Sequence, residues 1–388
     1  MNIVCERTWT PYFDTTCRNV TMNTTENLTP YKSETLQSLS IAYSSLHGYI
    51  SLAICAVGIP LNIINIVVLT RKNMQTPINC LLTWLAVADM ATMISYVPFS
   101  YHFYCDFSAN KISSEKNSWI WMHFLLIYLN FSSTAHTIAI WLAVALAIMR
   151  HHHIHSPAKG SITRMRRLIR ARLVVCIIAF SSVILLIPNY LSHSLEEVRF
   201  RDNTTGYLFE DWEINSGHAE PMRLVSLVIY GTFAKILPCV LIIIFGALLL
   251  RTLNKTRVNR RHLSENGVTI SAHTHVDPTR TTSMLLVVIV LFLITELPQG
   301  ILLMCCLFLQ NFFENIYIPL GDVMDILALI NNSINFVLYC TMSSEFRRTF
   351  VALFCSFSTS NERRKPYITS HYHGDHLLVT LNSAENTG

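Results

Sequence analysis

The chain has 388 residues, 51% of them hydrophobic and 14% charged, with a net charge of +5. An average soluble protein is about 25% charged, so this balance excludes a disordered chain, a coiled coil and a basic nucleic-acid-binding tail. The apolar residues come in long blocks rather than at periods of 2 or 3.6, which argues against a soluble enzyme, and eleven cysteines are too few for a disulfide scaffold.

Taken in chain order, the first 30 residues are a polar tail with no apolar core, so no cleavable signal peptide is expected. A membrane-spanning helix needs about 20 apolar residues. Seven blocks meet that length, at 46–70, 77–103, 120–149, 171–191, 223–250, 281–309 and 317–342. Irregular backbone cannot face lipid, so each block predicts a helix. Pro60, Pro98, Pro188, Pro238 and Pro298 then read as kinks inside the bundle. Between the fourth and fifth blocks, Glu197–Phe209 with the turn Asn203-Thr204-Thr205-Gly206 predicts a hairpin. The predicted organisation is all-α: a tail (1–45), a seven-helix bundle (46–343), a short amphipathic eighth helix (344–355) and a Ser/Thr-containing disordered tail (356–388). No internal repeat is visible, which argues against the inverted-repeat transporter plan.

Orientation follows the excess of Lys and Arg on cytoplasmic loops. Counted with the span ends, the loops after the first, third and fifth blocks plus the C-terminal tail hold 20 of these residues, the N-terminal tail and the other loops hold 8, and Lys235 lies within a span. The N-terminus is therefore expected outside. Glycosylation sequons at Asn19, Asn23, Asn27 and Asn203 fall on that same side. Those at Asn130, Asn254 and Asn331 fall in membrane or cytoplasm and are chance matches.

Three residues are charged at depth: Asp89, Lys235 and Glu296. An ionisable side chain in mid-membrane is costly unless paired, so each is a functional candidate with a plain alternative, an internal structural pair. For Glu296 the partner is Lys235, or a cation on a ligand. His151 and His155 stand one helical turn apart, and His371-Tyr372-His373-Gly374-Asp375-His376 has the spacing of a hydrolase metal motif. The histidine pair is read as neutral imidazoles in a cytoplasmic loop, and the motif as a coincidence because a short tail cannot supply the fold that such a site needs, so no metal is expected.

Several residues in register carry a resemblance: Gly58 and Asn62, the run Leu85-Ala86-Val87-Ala88-Asp89, Arg150 with Pro157, Pro238, Pro298, Asn335-Phe336-Val337-Leu338-Tyr339, and Ser343-Ser344-Glu345-Phe346-Arg347-Arg348. Over about residues 45–355 the chain resembles the rhodopsin-like G-protein-coupled receptors. Its departures are Met149 and His151 around Arg150, Phe336 where the family has proline, and Thr295-Glu296-Leu297-Pro298-Gln299-Gly300 in the sixth helix. These segments are similar to the invertebrate myosuppressin and FMRFamide-like neuropeptide receptors. Leu125 stands where the family's third-helix cysteine falls, and residues 191–222 contain no cysteine, so the usual outer bridge is absent. Cys5, Cys17 and Cys105 remain available outside, with their pairing open.

The resemblance implies the following roles. Arg150, Asn335 and Tyr339 would serve activation and G-protein coupling, with Asp277 a candidate partner for Arg150. Asp89, Asn62, Asn331 and Asn335 would form an internal network able to hold a sodium ion, although Ala139 stands where a hydroxyl is usual. Read from the residues themselves, Cys355 beside Phe354 and Phe357 is a candidate palmitoylation site or else a free cytosolic thiol, and Ser356, Ser358, Thr359, Ser360, Thr369 and Ser370 are candidate phosphorylation sites for recruiting arrestin. The outer rims are acidic (Glu196, Glu197, Asp202, Glu210, Asp211, Glu213, Glu220, Glu314, Asp322), and Asp325 lies one turn below Asp322. Such a surface suits a cationic peptide. The expected ligand site is Asp325, Glu296, Asp322, Gln299, His136 and Lys235.

The expected function is a plasma-membrane receptor for an amidated, FMRFamide-like or myosuppressin-like peptide, coupled to a heterotrimeric G protein and arrestin, with no nucleic-acid partner and no enzymatic activity. By resemblance an amine receptor needs an acid where Ser132 stands, and an opsin a lysine in residues 317–342, which have none. The rivals are a chemosensory receptor for a small molecule and, further off, a transporter or channel.

Overall fold

The computed structural model describes residues 33–109, 111–155, 161–200, 203–209, 221–265, 278–309 and 312–355. Helix α1 spans Glu34–Leu69. The Ser33 hydroxyl accepts the Leu36 amide at 3.3 Å and Glu34 sits in the first turn, so the start is capped and its dipole is offset. The helix therefore begins well before the apolar block at 46. At 1.5 Å per residue it is about 54 Å long, against about 30 Å of hydrocarbon. Its first turns, Thr35, Gln37 and Ser38 among them, stand clear of the apolar layer; a hydropathy reading places them in the tail.

Helix α2 (Pro77–Ser100) opens on the Thr76 cap and on Pro77, which needs no N–H partner in the first turn. It runs on as a wider π turn, Tyr101–Asp106. Next come α3 (Trp119–His155), α4 (Ser161–Leu185) and the short α5 (Ile187–Leu191), where Pro188 re-starts the helix. Strands β1 (Leu195–Arg199) and β2 (Thr205–Phe209) follow. The fifth span is α6 (Pro221–Ile229), a π turn (Tyr230–Ile236) and α7 (Leu237–Glu265). Helix α8 (Pro278–Phe308), a π turn (Phe313–Tyr317), α9 (Ile318–Met342) and α10 (Ser344–Phe350) complete the chain. Seven of these are long and apolar enough to cross a membrane. Asp202, Glu210, Asp211, Glu213, Glu220, Asp277, Cys5, Cys17, the tail sequons, the residues from Ser356 onward and the side chains of His153, His155, Glu314 and Cys355 lie outside what is described.

The bundle closes as a ring: α1 packs on α2 and α9, α2 on α3 and α4, α3 on α7, and α8 on both α7 and α9. A Cβ at Gly58 would run into Met93 and Ser333, so glycine is what lets α1 approach both neighbours. One apolar core, with Leu81, Leu142, Ile242 and Tyr339, fills the end of the bundle near α10. A second, aromatic core with Tyr96, Phe99, Phe103, Tyr104 and Tyr128 fills the end near the hairpin. Ser343 caps α10, whose buried Phe346 packs on Tyr339 and Phe336 at ring separations of 5.5 and 6.0 Å. Phe336, where a proline would break α9, thus serves as a seat for α10.

The hairpin pairs Leu195 with Phe209 and Arg199 with Thr205. Asn203 takes φ 66°, a left-handed conformation that asparagine tolerates. No cysteine fastens it to the bundle. Instead the Tyr207 N–H donates to the Asn117 carbonyl at 2.8 Å just before α3, and Leu208 and Phe209 are buried. The loop before α3 is held by Lys116, whose ammonium donates to the carbonyls of Ser108 (2.7 Å) and Ala109 (2.9 Å), and by His102, which stacks on Trp121 at 3.7 Å. Burial lowers the pKa of Lys116 to about 7. Leu125 is buried in the aromatic core and Cys105 is a free thiol. Mild reductant is therefore expected to leave ligand binding and the melting temperature unchanged. Tyr207→Pro, which deletes the donor, should cost about 1–3 kcal/mol in a detergent thermal-melt assay. A collapse of binding in dithiothreitol alone would contradict this.

Candidate functional site

A cavity of about 110 Å³ lies between α2, α3, α8, α9 and the π turn of the fifth span. Tyr96, Phe99, Tyr104, Tyr128 and Tyr230 supply aromatic walls, Asp322 and Asp325 one acidic wall, and His136, Lys235, Gln299 and Asn332 a polar side. The volume suits about one side chain, so the cavity is a socket rather than a trough for a whole peptide.

The polar side is built around one carboxylate. Glu296 Oε2 accepts from Lys235 Nζ at 2.8 Å and pairs with His136 Nε2 at 2.9 Å. Lys235 also donates to Gln299 Oε1 at 2.8 Å. Both Lys235 and Glu296 are only 1% exposed. Two backbone features bring them together. The π turn Tyr230–Ile236 carries an extra residue per turn, which shifts Lys235 from the phase a plain helix would give it. Gly300 lacks the Cβ that would sit 3.2 Å from Lys235 Cβ, so α8 can approach the π turn closely. The triad ties α3, the fifth span and α8 at one level. Glu296 is thus engaged inside the protein, and its Oε1 has no hydrogen-bond partner among the described residues. Lys235 keeps one N–H for a group in the cavity.

The acidic wall belongs to α9. Asp322 Oδ1 accepts the Tyr104 hydroxyl at 2.7 Å, and Asp325 Oδ2 accepts the Tyr96 hydroxyl at 3.3 Å. Asp322 is 4% exposed and Asp325 is half-buried. Each carboxylate so far uses one oxygen, and the other is available to a cation. Glu196 and Glu197 lie exposed on the hairpin, away from this wall.

Deeper, Asn335 donates to Asp89 Oδ2 at 2.9 Å, joining α2 and α9. Asn62 donates to the Asn332 carbonyl at 2.9 Å and to the Gly58 carbonyl at 3.1 Å. Asn332, not the half-buried Asn331, is the asparagine that is buried and meets Asn62. Ala139, buried in the same core as Ala88, offers no side-chain oxygen. One carboxylate with amides is a sparse cage for a cation but a sufficient lock between helices. At the far end, Arg150 is half-buried and its Nε has no hydrogen-bond partner among the described residues. Met149 beside it packs on the core, where an acid would have paired. Tyr339 is buried at that end, and His151 lies 6.5 Å from the Phe245 ring.

The structure thus brings His136, Lys235, Gln299, Asp322 and Asp325 to one cavity and puts Glu296 directly behind it. His47, Tyr96, Tyr104, Tyr128 and Asn332 belong to the site as well. Their only signal is a polar atom on a bundle-facing helix position.

Comparison with known proteins agrees with this architecture. The family described as "Serpentine type 7TM GPCR chemoreceptor Srw" matches residues 49–357. The G-protein coupled receptor dmsr-1 of Caenorhabditis elegans is 31% identical, across 80% of this chain and 68% of its own. The Sex peptide receptor of Drosophila melanogaster is 25% identical, across 80% and 72%. The Thyrotropin-releasing hormone receptor of Gallus gallus is 26% identical, across 77% and 76%.

Proposed function

This chain belongs to the serpentine seven-transmembrane G-protein-coupled receptors, and from that membership we propose that it is a plasma-membrane receptor for a secreted, amidated peptide of the FMRFamide-like or myosuppressin-like kind. The observation that carries the reading is the pair Asp322 and Asp325, side by side on one wall of an aromatic socket. A guanidinium meets carboxylates through parallel, charge-assisted hydrogen bonds, and an aromatic neighbour in the peptide fits the tyrosine walls. Two relatives named for peptide or hormone ligands support a peptide over other ligands. Bound peptide would bear on α9 and, through Lys235 and Gln299, on α8. Arg150, Asn335 and Tyr339 would carry the response to a heterotrimeric G protein, and the C-terminal tail would recruit arrestin.

The test is a G-protein activation assay on cells expressing the full chain, with a panel of amidated peptides beside small odorants. Activation by peptides ending in Arg-aromatic-amide, and not by their free acids, is expected. The family's printed description favours a second reading, a chemoreceptor for a small molecule. Activation by odorants alone would establish it and overturn the first.

In this reading the hairpin faces outside. Asn203 is exposed on the hairpin turn, where an oligosaccharide meets no packing. Endoglycosidase should raise the gel mobility of the expressed protein, and the shift should shrink when Asn19, Asn23, Asn27 and Asn203 are changed to Gln. An unchanged shift in that quadruple variant would reverse the assigned orientation.

A further inference from the structure

We infer that His47 and Tyr96 are positioning residues for the peptide's cation: they form a hydrogen-bonded chain from α1 through α2 to α9 that holds the Asp325 carboxylate. This rests on the peptide reading above and deepens it. Nothing in the sequence marks His47, yet it is fully buried within a mostly apolar helix. Its ring lies against Tyr104 at 4.6 Å and Tyr43 at 5.8 Å, which fixes its plane. Its Nε2 is 2.7 Å from the Tyr96 oxygen, and that hydroxyl donates to Asp325 Oδ2.

Proton counting sets the direction of the chain. Tyr96 has one hydroxyl hydrogen and gives it to Asp325. The short contact to His47 therefore has Nε2–H as donor and the tyrosine oxygen as acceptor. Nδ1 then carries the lone pair, and it has no hydrogen-bond partner among the described residues. A donor into the tyrosine oxygen strengthens the hydroxyl as a donor in turn. The 3.3 Å link to Asp325 is the longer of the two in the chain.

Next to it, Tyr104 donates to Asp322 at 2.7 Å. Two carboxylates three residues apart on one helix repel each other, and each is offset here by a hydroxyl from the second span. One hydroxyl comes from α2 and the other from the π turn that continues it, and each engages one oxygen of its acid. Planar guanidinium offers several N–H groups in one plane and can bridge the two. A purely structural role for His47 would need only its shape. A positioning role needs its N–H.

The test compares two synthetic peptides, one with arginine before the amidated aromatic residue and one with citrulline, which has the same shape without the charge. The readout is the ratio of their potencies on the full-length receptor at matched surface expression. Tyr96→Phe is expected to reduce the ratio about tenfold, through the arginine peptide alone. His47→Phe should reduce it about threefold, and His47→Gln, which restores an N–H near the same place, should recover it. In an Asp325→Asn background, Tyr96→Phe should add nothing, because the two act through one carboxylate. Equal losses for both peptides, or additive losses in the double variant, would overturn the inference and leave His47 and Tyr96 as packing residues. If Tyr96→Phe does not reach the surface, the His47→Phe and His47→Gln pair decides the matter alone. A wild-type receptor that responds to peptides but does not distinguish arginine from citrulline would overturn the inference while sparing the peptide reading. One that responds to no amidated peptide would overturn both.

Discussion

Lys235→Met is expected to be the most damaging single substitution in the bundle. Lys235 and Glu296 are both about as buried as side chains become, and they share a 2.8 Å contact. Removing the ammonium leaves a carboxylate with His136 as its remaining partner. Breaking a buried pair from one side costs about 3–5 kcal/mol, because an uncompensated charge is left behind. Replacing both partners by apolar residues of similar size is much cheaper, since neither desolvated charge remains. Lys235→Met/Glu296→Leu should therefore recover most of the loss, even though it carries one more change. Glu296→Gln should fall between these two: the Lys235 ammonium loses its counter-charge, although the amide oxygen still accepts from Lys235 and His136 and Lys235 keeps Gln299. Thermal melting of the receptor in detergent, with surface expression as a second measure, separates these cases. Wild-type melting in Lys235→Met would show that the pair contributes little. A double variant worse than the single would show that shape, not charge, holds the site.

The charged core was legible in the sequence for a physical reason. An acid or amine inside an apolar block has few acceptable environments, so Asp89, Lys235 and Glu296 stood out and two of them met. The seven spans were legible for the same reason, since about 20 apolar residues in a row have few other uses. What stayed hidden depends on helix phase and on caps. Tyr96 and Tyr104 are eight residues apart, which leaves them roughly 80° out of phase in a plain helix. The wider π turn Tyr101–Asp106 brings Tyr104 round to meet Asp322 beside Tyr96 and Asp325. No composition signal announces a π turn. The same is true of Lys235, whose direction is set by the turn Tyr230–Ile236 rather than by its neighbours in sequence. The early start of α1 was hidden because a capped polar turn resembles a tail in hydropathy. Asn331 and Asn332 could not be told apart without the rotation of α9, and the structure buries the second.

Asp325→Asn is expected to weaken an arginine-containing amidated peptide by at least about tenfold, roughly 1.4 kcal/mol. Truncating one partner of a desolvated charge pair typically costs about 2–5 kcal/mol. Asp325 is only half-buried, so the lower end of that range applies. Asparagine keeps an oxygen for the Tyr96 hydroxyl and keeps the shape of the wall, so the change removes charge with little else. Asp322 is buried more deeply and held by the shorter bond to Tyr104, and Asp322→Asn in addition should deepen the loss. Glu296→Gln should behave differently. Glu296 sits behind the socket, engaged by Lys235 and His136, so a ligand reaches it only through them. Its neutralisation should lower the maximal response more than the potency, because the contacts it weakens tie α8 to α3 and to the fifth span. Dose–response curves on Asp325→Asn, the double variant and Glu296→Gln, at matched surface expression, separate recognition from transmission. Unchanged potency in Asp325→Asn would remove it as the cation's partner. A potency loss in Glu296→Gln as large as in Asp325→Asn, with full maximal response, would instead put the peptide's cation on Glu296.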